Sequence, residues 1–211
     1  MTATRTRTCL TGGIACGKSL LSRFLGELGV ETLDADDIVH ELIPDPSERR
    51  RLAAEVFGDP AKRRELEAKL HPLVKARIDE WLGGVPSPSA GACAPLALVQ
   101  GAGTKHQAPS TSAAPPRSPL RIAVIPLLFE ARWEGNFDII CCVASERSRQ
   151  IERMTATRGY TREEAEARLA AQMPVEEKAA KSHYVIRNDG SPEQLKQAAA
   201  KFVAWLKERQ R

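Results

Sequence analysis

The run Gly12-Gly13-Ile14-Ala15-Cys16-Gly17-Lys18-Ser19 constrains this chain more than any other stretch. It fits G-x-x-x-x-G-K-[ST], with Gly12, Gly17, Lys18 and Ser19 at the required positions. Glycines let successive backbone N–H groups turn inward around phosphates, and a lysine at this spacing reaches the β- and γ-phosphates. The Ser19 hydroxyl is placed to hold Mg²⁺, and the following helix aims its positive end at the anion. The flanks agree. Thr8-Cys9-Leu10 ends a strand, and Leu20, Leu21, Phe24, Leu25 and Leu28 keep helical spacing until Gly29. Strand, loop and helix together predict a nucleotide-binding α/β unit.

Beyond that helix, Val30-Glu31-Thr32-Leu33 reads as a strand running into Asp34-Ala35-Asp36-Asp37. Ligands of such sheets sit beyond the carboxyl ends of the strands, which marks these acids as candidates. Asp36 or Asp37 is expected to cap the helix at Ile38–Leu42, which leaves Asp34 for chemistry. Pro44 and Pro46 break that helix, and charged amphipathic helices are predicted over 47–57 and 61–81, around Gly58-Asp59-Pro60. Their arginines and lysines read mainly as a solvated face.

Residues 83–119 hold seven of the chain's 14 prolines and show neither helical nor strand periodicity. They read as a disordered or loosely held insertion. Apolar β-branched runs at 120–125 and 137–143 then predict strands buried on both faces of a parallel sheet. An arginine-rich helix follows (Arg147, Arg149, Arg153, Arg158). Thr161-x-x-Glu164 opens another helix, reaching Ala171-Gln172, with a capping box. His183–Ile186 makes a last strand, and Ser191-Pro192-Glu193-Gln194 starts the final helix.

The fold class is therefore α/β: a P-loop NTPase-type parallel sheet with helices on both faces. The whole chain, 1–211, reads as one domain. Its P-loop core is 5–42 and 120–211, and 43–82 forms a helical region. A net charge of +4 suits an anionic substrate but is too weak and dispersed for nucleic acid. No apolar run approaches the roughly 20 residues of a membrane span, and the start lacks a secretory signal. Five cysteines without metal-ligand spacing point to a reducing cytoplasm.

Phosphoryl transfer needs a phosphate cradle, Mg²⁺, cations and an aligned nucleophile. The chain offers a cradle at 12–19, Ser19, a possible lid of arginines at 147–158, and Asp34 to take a hydroxyl proton. A GTPase would show N-K-x-D, and a motor ATPase would close a strand on Asp; neither occurs. A small-molecule kinase remains, its substrate not derivable from these residues.

A resemblance supplies one. Thr11-Gly-Gly-Ile-Ala-Cys-Gly-Lys-Ser19, Leu33-Asp-Ala-Asp36, His71-Pro72, Pro126-Leu-Leu-Phe-Glu130, Gln150 with Arg153, Ala171-Gln172 and Asn188 with Gly190 follow the order seen in dephospho-CoA kinases. The chain resembles that family over nearly its whole length, apart from the insertion. The resemblance implies transfer of the γ-phosphate of ATP to the ribose 3′-hydroxyl of dephospho-CoA, the last step of coenzyme A synthesis. It also implies that 43–82 is a substrate-binding region accompanied by a lid. ATP and Mg²⁺ are the implied cofactors, and a monomer or weak oligomer acting on a small molecule is expected.

Residue by residue, Asp34, Lys18 and Arg153 become the catalytic candidates, with Arg153 in the lid. Gly12, Gly13, Ala15, Cys16, Gly17, Lys18, Ser19 and Leu20 would hold ATP, and Asn188 would lie near its adenine. Asp34, Asp36, His40 and His71 would meet the substrate. The sequence departs from the family at several points. Residues 43–57 are shortened, and Leu20 follows the loop serine where Thr is usual. Val124 replaces an acid, and the second lid arginine is Arg158 rather than position 157. The run Lys181–Asn188 has lost two acids. Another P-loop small-molecule or nucleotide kinase, or a catalytically weak ATP-binding protein of this descent, is the alternative. Cys16, at a helix N-terminus beside Lys18, reads first as a small residue tolerated at a variable loop position, with a thiolate favoured by the helix end and Lys18 as the alternative.

Overall fold

The computed structural model describes residues 6–56, 59–83 and 120–209. Five strands form one sheet: β1 (Thr8–Gly12), β2 (Glu31–Asp34), β3 (Arg121–Val124), β4 (Ile139–Ala144) and β5 (Tyr184–Arg187). Their order is β2-β3-β1-β4-β5, and every pairing is parallel. Parallel neighbours need crossovers, and the crossover helices cover both faces of the sheet. That is why β1 and β4 are buried at every position, β4 as an apolar run and β1 with Thr8 and Thr11 among its buried residues.

Register sorts the side chains. Leu10 lies opposite Val124 and Cys141, while Cys9 lies opposite Ala123 and Ile140. On the first face, Leu10, Ile122, Val124, Cys141 and Val143 join Leu21, Phe24 and Leu25 of α1 (Lys18–Glu27). Leu195, Phe202 and Leu206 of α8 (Pro192–Arg209) complete that core, where α1 packs on α8. The opposite face is closed by α7 (Val175–Ala180), packed on β1 and β4. The expected sheet with helices on both faces is what forms.

The helices α2 (Ala35–Leu42), α5 (Arg147–Arg158) and α6 (Arg162–Ala170) complete the first of two compact units, Met1–Pro44 with Leu120–Arg211. The capping boxes predicted at Thr161 and Ser191 both form.

The second unit, Asp45–Pro119, contains α3 (Pro46–Val56) and α4 (Pro60–Leu82), which pack on each other. Asp45 begins α3 by accepting from the Ser47 N–H at 2.8 Å. Asp59 caps α4, and Gly83 ends it in the left-handed conformation at φ 82°. Pro72 is accommodated inside α4. The insertion expected at 83–119 falls, but for Gly83, outside the described residues.

Two expectations change. The second strand sits one residue later than predicted, so Asp34 is both its last residue and the N-cap of α2. With φ −89° and ψ 131°, Asp34 turns its carboxylate onto the Asp36 N–H at 2.9 Å. Asp36 and Asp37, predicted as caps, occupy the first turn, where negative charge suits the helix dipole. The short helix α7 was not foreseen, because six residues carry too little periodicity to register.

Candidate active site

The loop between β1 and α1 is shaped by its glycines. Gly12 (φ 149°) passes so close to Val143 that a Cβ would collide with the Val143 carbonyl. Gly17 adopts φ 93°, and a Cβ there would strike the Asn188 amide. Between them, Ala15 takes the left-handed conformation at φ 58°.

A loop that turns its N–H groups inward must point its carbonyls elsewhere, and buried carbonyls need donors. Three side chains supply them in sequence order. Gln150 Nε2 donates to the Ile14 carbonyl at 2.7 Å, Arg153 to the Ala15 carbonyl at 3.2 Å, and Asn188 Nδ2 to the Cys16 carbonyl at 2.9 Å. Gln150 and Asn188 are themselves buried. Arg153 also donates to Ser145 Oγ at 3.0 Å and to the Asn188 carbonyl at 2.6 Å. Ser145 Oγ donates to that same carbonyl at 2.8 Å. The helix α5 and the end of β5 thus brace the loop from behind.

That arrangement gives Arg153 and Asn188 a duty different from the expected one. The guanidinium expected in a lid is bound to the loop backbone and to the ends of β4 and β5. The Asn188 amide is directed at Cys16, not outward. Sequence reasoning quoted Gln150 but gave it no role, and it missed Ser145. A side chain that donates to a loop carbonyl looks, in sequence, like one that donates to a ligand.

Lys18 Nζ donates to the Gly12 and Gly13 carbonyls, each at 2.9 Å. Burial and then the nearby charge of Lys178 lower its pKa, against the pull of Cys16, Asp34 and Asp36. Asp34 is half-buried at the carboxyl end of β2. Burial raises its pKa, and the charges of Asp36 and Asp37 push the same way, opposed by the Asp36 N–H and by Lys18. Ser19 is exposed in the first turn of α1, whereas Leu20 packs against the apolar core and offers a ligand only its backbone.

The thiol of Cys16 is fully buried, and Gln150 Nε2 approaches its Sγ at 3.1 Å. Burial raises its pKa more than Lys18 and the neighbouring N–H groups lower it. The thiolate, the alternative reading of this residue, is therefore disfavoured. Desolvation outweighs the helix end.

The fold thus gathers Gly12, Gly13, Ala15, Cys16, Gly17, Lys18, Ser19, Arg153 and Asn188 at one place, with Asp34 and Asp36 near enough to Lys18 for their charges to act on it. His40 is exposed in the last turn of α2, and His71 belongs to the other compact unit, on α4. A pocket of about 360 Å³ opens beside Asn188, lined by Arg187, Asp189, Gly190 and Ser191 and by Gln194, Leu195, Gln197, Ala198 and Lys201 of α8. Among the described residues no cluster of three His, Cys, Asp or Glu side chains could hold a metal by itself. A serine hydroxyl exposed in the first turn after the loop fits Mg²⁺, which keeps its waters and shares substrate phosphates.

Comparison with known proteins agrees with this geometry. The family model for dephospho-CoA kinase matches residues 7–48 and 104–194. A dephospho-CoA kinase from Synechococcus sp. (strain JA-3-3Ab) is 38% identical over 88% of this chain and 86% of its own length. One from Geobacter sulfurreducens is 36% identical over 88% of this chain and 91% of its own. Among solved structures, TT1252 from Thermus thermophilus superposes with a TM-score of 0.68 at 30% identity, over 95% of this chain and 97% of that one. The motif order, the braced loop and these matches over most of the chain lead to one assignment: the chain belongs to the dephospho-CoA kinase family.

Proposed function

We propose that this chain transfers the γ-phosphate of ATP to the ribose 3′-hydroxyl of dephospho-CoA, yielding coenzyme A and ADP. The observation that carries the reading is the placement of Asp34. It ends a strand on the same sheet edge as the phosphate loop, and its charge acts on Lys18.

The loop N–H groups and Lys18 receive the phosphates, and Lys18 exchanges its two carbonyl acceptors for phosphate oxygens. Incoming negative charge counters the desolvation that lowers its pKa. Ser19 would hold Mg²⁺, which when bound would supply positive charge to offset that of the phosphates. The pocket beside Asn188 takes the adenine. Asp34 keeps one carboxylate oxygen on the Asp36 N–H and turns the other to the substrate hydroxyl. As the hydroxyl oxygen attacks the γ-phosphorus, its proton passes to Asp34, and the bond to the β–γ bridging oxygen breaks to release ADP. A carboxylate whose pKa is raised is a stronger base than an ordinary aspartate. Asp36 and His40 on α2 are proposed to meet the substrate, and His71 is the substrate residue proposed for the helical unit. That helical unit is the substrate-binding part.

We place this activity in the cytoplasm, in a monomer or weak oligomer. The four described cysteines are free and buried, and none of the described helices is long and apolar enough to cross a membrane. The test is ADP release by the purified chain with Mg-ATP, with and without dephospho-CoA. Strong stimulation, with a product heavier by one phosphoryl group, supports the reading. ATP turnover indifferent to dephospho-CoA overturns it.

A further inference from the structure

Lys178 is fully buried on α7, the only lysine or arginine so placed among the described residues. Its ammonium donates to Glu130 Oε1 at 2.7 Å and to the Pro126 carbonyl at 2.9 Å. Both acceptors lie in the turn that leaves β3. The Pro126 carbonyl also faces Thr11 Oγ1 at 3.4 Å, where β1 enters the phosphate loop. Glu130 Oε1 also accepts from the Met173 N–H at 3.0 Å, in the connection between α6 and α7. One ammonium therefore ties four segments together: the end of β1, the turn after β3, the α6–α7 connection and α7 itself.

A buried charge is expensive to desolvate, and an apolar side chain of similar volume is often at least as stable. A methionine here would fill the space but leave Pro126 with one long contact to Thr11. It would also release Glu130 from α7. The charge thus supplies directional fixation rather than bulk. That fixation falls where β3 stands between β2, which presents Asp34, and β1, which presents the loop.

We propose that Lys178 is a positioning residue for phosphoryl transfer, setting the phosphate loop and the helix preceding Met173 in one geometry through Pro126 and Glu130. The proposal rests on the kinase reading above. It needs no contact between Lys178 and either substrate.

The test compares Lys178→Met, Lys178→Arg and the double variant Lys178→Met/Glu130→Leu. The readouts are kcat, KM for each substrate, melting temperature and amide hydrogen exchange at Met173. Lys178→Met is expected to lower kcat about 10- to 100-fold, the scale of an ångström-sized misplacement, with KM for ATP within about threefold. Met173 exchanges faster, and Lys178→Arg recovers part of kcat. In the double variant the Glu130 carboxylate, which Lys178→Met leaves without its cation, is gone as well, so the melting temperature returns toward wild type while kcat stays low. A double variant that regains stability and kcat together overturns the proposal, as does full kcat in Lys178→Met. If Lys178→Met does not fold, Glu130→Gln keeps the shape and an acceptor for Met173 but removes the ion pair. Its kcat should fall, with a melting temperature lowered by the buried ammonium left without its counter-ion, and unchanged kcat refutes the role. A wild-type chain inactive on dephospho-CoA would instead reject the kinase reading, and Met173 exchange would still report on the tie.

Discussion

Replacing Gln150 isolates the bracing of the phosphate loop from the chemistry done in front of it. Gln150 is 3% exposed and gives one short hydrogen bond, 2.7 Å, to the Ile14 carbonyl. Leucine has nearly the same volume, so Gln150→Leu leaves packing intact and strips the donor. A buried acceptor left without its partner costs about 1–3 kcal/mol. The loop can escape this penalty by rotating the Ile14 peptide toward solvent, which turns neighbouring N–H groups away from the phosphate. If the whole penalty falls on the binding-competent loop, ATP binding weakens about 5- to 150-fold. Gln150→Glu should be worse, because it sets a carboxylate oxygen against a carbonyl oxygen. Calorimetric titration with Mg-ATP reads the affinity, and thermal denaturation without nucleotide reads the fold. Affinity within twofold of wild type in a folded Gln150→Leu protein would refute the idea that these donors shape the loop.

Three further outcomes follow from the same geometry. Asp34→Asn should cut turnover by at least about 10²-fold while sparing ATP binding. Because burial raises the Asp34 pKa, wild type loses stability as pH rises from the ordinary aspartate range through the folded-state value. Asparagine caps equally well, so the variant should be the more stable protein at neutral pH, with the gap closing on acidification; a gap independent of pH contradicts the assignment. Arg132 is exposed and holds φ 56°, so Arg132→Gly should stabilise by about 0.5–1 kcal/mol in urea titrations, left-handed strain relieved exceeding backbone entropy lost. Finally, iodoacetamide at neutral pH should leave Cys9, Cys16, Cys141 and Cys142 unlabelled in the native protein. All four are buried with raised pKa values, that of Cys142 pushed up to about 12, so rapid native-state alkylation at any of them would contradict the packing.

What could be read in advance was decided locally. The loop at 12–19 announces itself because phosphate binding fixes glycine, lysine and serine at set spacing. The inner strands announce themselves because burial on both faces leaves mostly apolar residues. The remainder depended on partners distant in the chain. Glu176-Glu177-Lys178 carries three charges in a row and no local signal of burial, and it is Glu130 and Pro126, distant in the chain, that make Lys178 core. Asp34 was preferred for chemistry because a neighbour was expected to cap α2. A one-residue shift of the strand made Asp34 the cap, and the chemical candidacy now rests on burial and nearness to Lys18 instead. Cys16 sits at a helix N-terminus in sequence, yet its accessibility is set by Gln150 on another helix.

The acidic positions missing from 181–188 illustrate how a departure from the family pattern can be absorbed. His183 Nδ1 accepts from the Ile140 N–H at 3.0 Å, a task a carboxylate could perform. Arg187 reverses the usual charge but forms a two-pronged pair with Glu176 of α7, at 2.8 and 2.7 Å. The hydrogen bond from Arg187 is the main reason the Glu176 pKa is lowered. Both side chains are more than half exposed, so the pair is worth at most about 1 kcal/mol. Arg187→Asp should therefore lower stability by no more than about 1 kcal/mol, mostly through repulsion from Glu176. Adding Glu176→Lys should restore it with the charges exchanged. The effect has a signature in pH: the wild-type contribution is present above the ordinary glutamate range and fades as pH falls through the lowered Glu176 value. Denaturant titrations of the wild type, Arg187→Asp, Glu176→Lys and the double variant at neutral and acidic pH measure the coupling. A loss well above 1 kcal/mol, or one the second change leaves uncorrected, would mean that Arg187 has a structural role beyond this surface pair, and that the loss of the acids was not simply absorbed.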